Sequence, residues 1–106
     1  SNPDMRNLLH EIIEDASTQI QLVKDGWMAL KECEEWKPDW IIIDVGVDRI
    51  DGFTTAKAMK QMSPGQKIIL LMDRDDTPLK NAARNAGIHS CVLKENLTQL
   101  KKILMS

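Results

Sequence analysis

The sequence predicts an α/β fold, a three-layer α/β/α sandwich in which helices cover both faces of one parallel sheet. Apolar runs of strand length alternate along the chain with amphipathic stretches of about ten residues, an order that implies right-handed crossovers between parallel strands. The run from Trp40 to Ile43 is apolar without alternation, as expected of a strand buried on both faces, and it ends on an acid, Asp44.

The first half of the chain is predicted to contain two helices and two strands. Asn2-Pro3-Asp4 supplies a cap, a first-turn proline and an acid for a helix that ends near Asp15. Gln19 to Val23 alternates polar and apolar residues, as a short, half-exposed strand does. Asp25-Gly26 interrupts that pattern, and the apolar stripe of a second helix follows at Ala29, Leu30, Cys33 and Trp36.

The second half repeats the alternation after the strand that ends at Asp44. A helix, a strand, a helix, a strand and a helix are predicted over residues 53–62, 67–72, 77–86, 90–93 and 97–104. Thr77-Pro78 is predicted to cap the second of these helices and Gly87 to end it, while the acids Asp75-Asp76 complement its N-terminus. The whole chain, residues 1–106, is predicted to be one domain.

Composition excludes several functional classes. With 14 basic and 16 acidic residues interspersed and a net charge of −2, the chain lacks the basic bias that direct binding to nucleic acid requires. Cys33 and Cys91 are far apart and have no metal-ligand spacing, so they are interpreted as small buried hydrophobes. No apolar stretch approaches the roughly 20 residues of a membrane span. A cytoplasmic location without membrane contact is therefore expected.

Asp44 is the first candidate functional residue. In open parallel sheets, ligands bind just beyond the carboxyl ends of the strands, which is where Asp44 is predicted to lie. Lys94 follows a later strand and should reach the same edge of the sheet. From spacing alone, Asp44 could equally end the strand and cap the next loop, and Lys94 could be an ordinary exposed lysine.

Several segments together resemble the receiver domains of bacterial two-component response regulators. "PDWIIIDVGVDRIDGF" resembles the phosphoacceptor strand and loop of that family, with Asp44 in the phosphorylated position and Gly52 eight residues later. "NPDMRNLL", "DGWMAL" and "AGIHSCVLK" are similar to further family segments, the last ending in the family's lysine, here Lys94. The resemblance implies a flavodoxin-like sheet, and Lys-Glu after the last strand resembles the subfamily fused to a helix-turn-helix DNA-binding domain.

The resemblance also implies a metal-assisted phosphoryl transfer to Asp44. Mg²⁺ would be held by Asp44, by the backbone carbonyl of Gly46 and by an acidic pair at the end of the family's first strand, while Lys94 would bind the phosphoryl group. When Asn2-Pro3 is aligned with the family, Ser1 takes the place of the second acid of this pair. The position of the first acid falls before Ser1. Magnesium is therefore expected to bind this chain weakly or not at all, and phosphate uptake is expected to be poor.

Two positions that change conformation in the family carry different residues here. The fourth strand of the family ends in Thr or Ser, which binds a phosphoryl oxygen, whereas "KIILLMDRDD" has Met72 there, without a donor. Three residues before Lys94 the family commonly has Tyr or Phe, whereas this chain has the small side chain of Cys91.

Two functional hypotheses follow, and neither makes the chain an enzyme. The first is a receiver that accepts a phosphoryl group on Asp44 from a histidine kinase, and it is favoured by Asp44, Gly52 and Lys94. The alternative is a pseudo-receiver that binds signalling proteins, or a second copy of itself as a homodimer, without phosphate; Met72 and Cys91 favour it. A small α/β enzyme ranks last, since no Gly-rich phosphate loop follows any strand.

The resemblance makes one architectural prediction. The family's strand order is 2-1-3-4-5, but no apolar strand precedes the helix that opens at Asn2. An empty slot between the Gln19–Val23 and Trp40–Asp44 strands would leave buried backbone groups unpaired. We therefore expect that the strand lies outside these residues, that the gap closes, or that a neighbouring molecule donates a strand.

Overall fold

The structure, a computed structural model, describes residues 3–24, 30, 37–46 and 49–106. Helices α1 to α4 and strands β1 to β4 follow one another as α1 (Pro3–Asp15), β1 (Ile20–Val23), β2 (Trp40–Asp44), α2 (Arg49–Met62), β3 (Lys67–Met72), α3 (Thr77–Asn85), β4 (Ser90–Leu93) and α4 (Leu97–Met105). The predicted helix with the stripe Ala29, Leu30, Cys33 and Trp36 lies outside the described residues except for Leu30, as do Asn2 and Asp25-Gly26.

The described strands form one parallel sheet in the order β1-β2-β3-β4. β1 pairs directly with β2, with Ile20 opposite Trp40 and Val23 opposite Ile43. Of the three arrangements expected for the missing strand, the described residues therefore show the closed gap, which satisfies the backbone groups that an empty slot would leave unpaired. The predicted α/β class with parallel strands is confirmed.

Two separate hydrophobic clusters show that helices cover both faces of the sheet. One face of β2 and β3 packs with Ala56 and Met59 of α2 and with Leu79 and Ala83 of α3; Leu30 lies against the same cluster. The opposite face packs against α1 and α4 through Leu9, Ile12, Leu97, Leu100 and Leu104. The central strands are thus buried on both sides, as their uninterrupted apolar runs predict.

Local signals at the ends of α3 explain its bounds. The N-cap is Asp76, whose Oδ1 accepts a hydrogen bond from the backbone N–H of Leu79 at 3.0 Å, and not Thr77-Pro78, which lie in the first turn. The carboxylate is favoured there because it satisfies a free N–H and faces the positive end of the helix dipole. Gly87, at a φ of 82°, follows the helix and ends it as predicted.

No helix within the described ranges is long and apolar enough to cross a membrane.

Candidate functional site

The carboxyl edge of the sheet brings Asp44 and Lys94 into contact. Nζ of Lys94 lies 2.8 Å from Oδ1 of Asp44, with only 15% and 20% of the two side chains exposed. The parallel register explains this geometry, because β2 and β4 both flank β3 and end at the same edge. The predicted convergence of these two residues is confirmed.

Gly46 lies in the same site. Its backbone N–H donates to Oδ1 of Asp44 at 3.0 Å, and its φ of 53° lies in the left-handed region that favours glycine. Oδ1 of Asp44 is therefore held by two donors, the Gly46 amide and the Lys94 ammonium. The predicted role of the Gly46 carbonyl as a metal ligand stays a prediction.

Gly52 allows the first turn of α2 to pack closely against Val45, the residue that follows β2. A Cβ added at Gly52 would lie 2.7 Å from Cγ1 of Val45, closer than Cβ atoms pack in proteins, and 3.1 Å from its Cα, a tighter contact than most. Glycine is needed here so that α2 can approach the residue that directly follows Asp44. The resemblance placed Gly52 at this position, and its structural role is this close approach.

Met72 ends β3 beside Lys94, whereas Cys91 lies three residues before Lys94 on β4, opposite Leu70. Met72 is 3% exposed, and its carbonyl accepts the backbone N–H of Lys94 at 2.9 Å. Met72 lines a cavity of about 160 Å³ together with Gly46, Asp73 and Arg74, whereas Asp44 and Lys94 do not line it. A pocket that Met72 shares with Asp44 stays a prediction. Cys91 is partly buried against the cluster on the α2 and α3 face, and burial raises the pKa of its thiol.

Asp73 is the site residue that sequence reasoning missed. Its Oδ1 lies 2.8 Å from Nζ of Lys94, so the ammonium bridges two carboxylates. The available signal was positional: Asp73 directly follows β3 as Lys94 directly follows β4, and parallel neighbours end side by side. The neighbouring acids make other contacts: Asp75 forms an exposed ion pair with Lys80, and Asp76 caps α3.

Electrostatics favour a charged lysine at this edge. Burial alone would lower the pKa of Lys94, but hydrogen bonds to Asp44 and Asp73 and the charges of both carboxylates outweigh it, so the pKa is raised above its ordinary value. Lys94 is thus a fixed positive charge beside the one mostly buried carboxylate of the site.

The donor set suits a magnesium ion only in part. Mg²⁺ in proteins is typically held by one or two carboxylates and keeps several of its waters. Asp44 can supply one such carboxylate. Within the described residues, no group of three or more His, Cys, Asp or Glu side chains is placed to hold a metal ion.

Comparison with known proteins identifies the family. Residues 1–105 match the response regulator receiver domain, and the chain belongs to that family. It is 32% identical over 69 residues to the alkaline phosphatase synthesis transcriptional regulatory protein PhoP of Bacillus subtilis, a match that covers 65% of this chain and 29% of PhoP. The chain therefore spans less than a third of that relative.

Solved structures support the fold. The chemotaxis protein CheY4 of Vibrio cholerae superimposes with a TM-score of 0.73 at 21% identity, covering 97% of this chain and 91% of CheY4. The receiver domain of the sensor histidine kinase PA1611 of Pseudomonas aeruginosa, whose active-site cleft coordinates a magnesium ion, gives a TM-score of 0.68 at 18% identity over 99% of this chain and 91% of that domain. The sheet described above is thus a receiver-type α/β fold.

Proposed function

We propose that this chain is the receiver module of a two-component relay and accepts a phosphoryl group on Asp44 from a histidine kinase. The observation that carries the proposal is the Asp44–Lys94 contact of 2.8 Å at the carboxyl edge, beside a cavity that Gly46 and Met72 line. A partly buried carboxylate at the end of a strand, with a cation held against it, has the charge arrangement that phosphoryl transfer requires.

The two oxygens of Asp44 have different roles in this proposal. Oδ1 is held by the Gly46 amide and the Lys94 ammonium, so Oδ2 is the oxygen left to attack. It forms a bond to phosphorus while the bond between phosphorus and the kinase histidine breaks, and the electron pair of that bond stays on the imidazole nitrogen. Lys94 then faces the negative charge that the new acyl phosphate brings.

A divalent ion would be held by the Asp44 carboxylate and the Gly46 carbonyl, and would neutralise charge on the phosphoryl oxygens when bound. The magnesium in the cleft of the PA1611 receiver supports this assignment by analogy. With Asp44 as the only proposed carboxylate ligand and Lys94 beside it, affinity for the ion should be low within these residues.

The test is a titration of Mg²⁺ with beryllofluoride, followed by amide chemical shifts at Gly46 and Lys94, in this chain and in Asp44→Asn. We expect a response that depends on Asp44 and that saturates only well above millimolar magnesium. Acetyl phosphate should likewise add one phosphoryl group by mass, slowly, and not in the variant.

A second candidate function, a signalling module that works without phosphate, is favoured by Met72 and Asp73. Met72 offers no hydroxyl to a phosphoryl oxygen, and Asp73 already occupies the ammonium of Lys94. Absence of any Asp44-dependent response in the same titration would favour this candidate. Homodimerisation, fusion to a DNA-binding domain, the lack of catalytic activity and a cytoplasmic location stay predictions.

A further inference from the structure

The ion pair between Asp73 and Lys94 follows from the register of β3 and β4. Met72 and Leu93 are the last paired residues of these strands, and the backbone N–H of Lys94 donates to the Met72 carbonyl at 2.9 Å. Asp73 and Lys94 are the next residues on each strand, so they lie side by side beyond the ladder. Nζ of Lys94 and Oδ1 of Asp73 are 2.8 Å apart as a result.

The same ammonium is shared between two acids. Oδ1 of Asp44 and Oδ1 of Asp73 each lie 2.8 Å from Nζ of Lys94, so the two oxygens are no more than twice that distance apart. A lysine ammonium has three donors, and these two contacts use two of them. The Asp73 side chain is 47% exposed, whereas that of Asp44 is 20% exposed, so Asp73 holds Lys94 from the more solvent-accessible side.

Asp73 also lines the cavity of about 160 Å³ beside Gly46 and Met72. A group transferred to Asp44 would bring a charge of about −1.5 to −2 and would need the Lys94 ammonium as its partner. That ammonium is already bonded to Asp73, and the Asp73 carboxylate would repel the incoming anion.

We infer that Asp73 is a positioning residue that competes with the phosphoryl group for Lys94 and so sets how readily Asp44 is modified. The inference rests on the proposed acceptor role of Asp44. It predicts that the Asp73 carboxylate slows phosphorylation of Asp44, and that removing this carboxylate makes phosphorylation easier.

The experiment compares beryllofluoride affinity at saturating Mg²⁺ in the wild-type chain, Asp73→Asn and Asp73→Ala, measured by amide shifts at Gly46. Because a hydrogen bond to a charged group is at stake, both variants should bind at least about tenfold more tightly. The matched control is Asp75→Asn, which removes the same charge from an exposed pair with Lys80 at 2.6 Å and should change affinity by less than about twofold.

A second measurement follows Lys94 without any phosphate. In an Asp44→Asn background, acylation of the Lys94 amine should be several-fold faster in Asp73→Asn than in Asp75→Asn, since Lys94 then also loses its ion pair with Asp73. Equal acylation rates would overturn the inference. So would equal beryllofluoride affinities in wild type and both Asp73 variants. Faster acylation together with no Asp44-dependent binding in any variant would overturn the acceptor role and the competition, while the hold of Asp73 on Lys94 would stand.

Discussion

Lys94 and Asp44 face each other at the carboxyl edge of the sheet, with Nζ 2.8 Å from Oδ1. Because Asp73 shares the same ammonium, replacing Lys94 should lower the free energy of unfolding more than replacing Asp44 does. Lys94→Met leaves two carboxylates close together without a cation, and we expect it to lower the free energy of unfolding by about 1–3 kcal/mol. Asp44→Asn leaves Lys94 paired with Asp73 and should cost under about 1 kcal/mol.

Urea unfolding monitored by circular dichroism measures the stability of the Lys94→Met and Asp44→Asn variants. Lys80→Met is the control, since Lys80 pairs with the exposed Asp75 and its loss should change stability little. A Lys94→Met variant as stable as wild type would mean that the two carboxylates tolerate each other in the folded state and that the charge arrangement is weaker than its distances indicate.

The pair Gly52 and Val45 makes a prediction about packing. Gly52→Ala puts a methyl group within 2.7 Å of Val45 Cγ1 and 3.1 Å of its Cα, and overpacking of this kind costs about 1–3 kcal/mol. Gly65→Ala is the matched control, since an added Cβ there meets nothing within 4 Å. Thermal unfolding of both variants measures the difference, and similar melting temperatures would contradict the close approach of Gly52 to Val45.

Some features of this chain are visible in sequence because they are local. The uninterrupted apolar run of β2, the acid at its end and Gly87 after α3 each depend on residues within one element. The α2 start is less visible, since the helix begins at Arg49, four residues before the apolar pattern at Phe53. The first turn contains one large apolar residue, Ile50, which is exposed and does not extend the apolar stripe.

Other features depend on contacts between distant elements. The direct pairing of β1 with β2 is one of three arrangements that the sequence leaves open, and the choice rests on which backbone groups find partners. The contact of Asp73 with Lys94 requires the β3 and β4 register, which fixes which residues lie side by side beyond the ladder. A run of acids such as Asp73, Asp75 and Asp76 does not by itself show which of them faces a lysine.

The raised pKa of Lys94 predicts a pH dependence at the alkaline side. A group whose pKa is higher in the folded state stabilises the fold fully below its ordinary value, 10.5 for this lysine, and loses that contribution as pH rises through the folded value. Stability from Lys94 should therefore be constant around neutral pH and fall only above that value. Asp73→Asn should move the titration of the Lys94 side chain to lower pH, because the Asp73 carboxylate, which raises the pKa of Lys94, is gone.

A ¹³C titration of the Lys94 side-chain carbons measures the shift directly. The chain has no tyrosine, so the alkaline titration is not overlaid by phenol groups. Lys80→Gln serves as a control in which the Lys94 titration should not move. A Lys94 curve unchanged in Asp73→Asn would contradict the electrostatic coupling.

The partial burial of Cys91 predicts that its thiol is alkylated slowly. Desolvation raises the pKa of Cys91 above its ordinary value of 9.0, with the charge of Lys80 acting in the opposite direction and that of Asp76 in the same one. The thiolate is the reactive form, so alkylation by iodoacetamide near neutral pH should be slower in the folded chain than in urea. Cys33→Ser isolates the reaction, and Lys80→Gln should slow it further. Equal rates in the folded and unfolded chains would contradict the burial of the thiol.

The last prediction concerns Met72, the residue at the end of β3. Met72→Thr introduces a hydroxyl at the end of β3, at the cavity that Met72 lines with Gly46 and Asp73. We expect this hydroxyl to donate a hydrogen bond to a phosphoryl oxygen on Asp44. Met72 is 3% exposed, so the smaller side chain should also cost up to about 2 kcal/mol of stability through lost packing. Met72→Val is the matched control, since valine has nearly the shape of threonine without the hydroxyl.

Both variants lose the same packing, so a difference between them reports the hydroxyl alone. We expect Met72→Thr to bind beryllofluoride about fivefold to tenfold more tightly than Met72→Val, the gain of one hydrogen bond to a charged group. The gain should grow when Asp73→Asn is combined with Met72→Thr, because Lys94 and the new hydroxyl can then both bind the phosphoryl oxygens. Equal affinities of the threonine and valine variants would show that the end of β3 does not reach the transferred group.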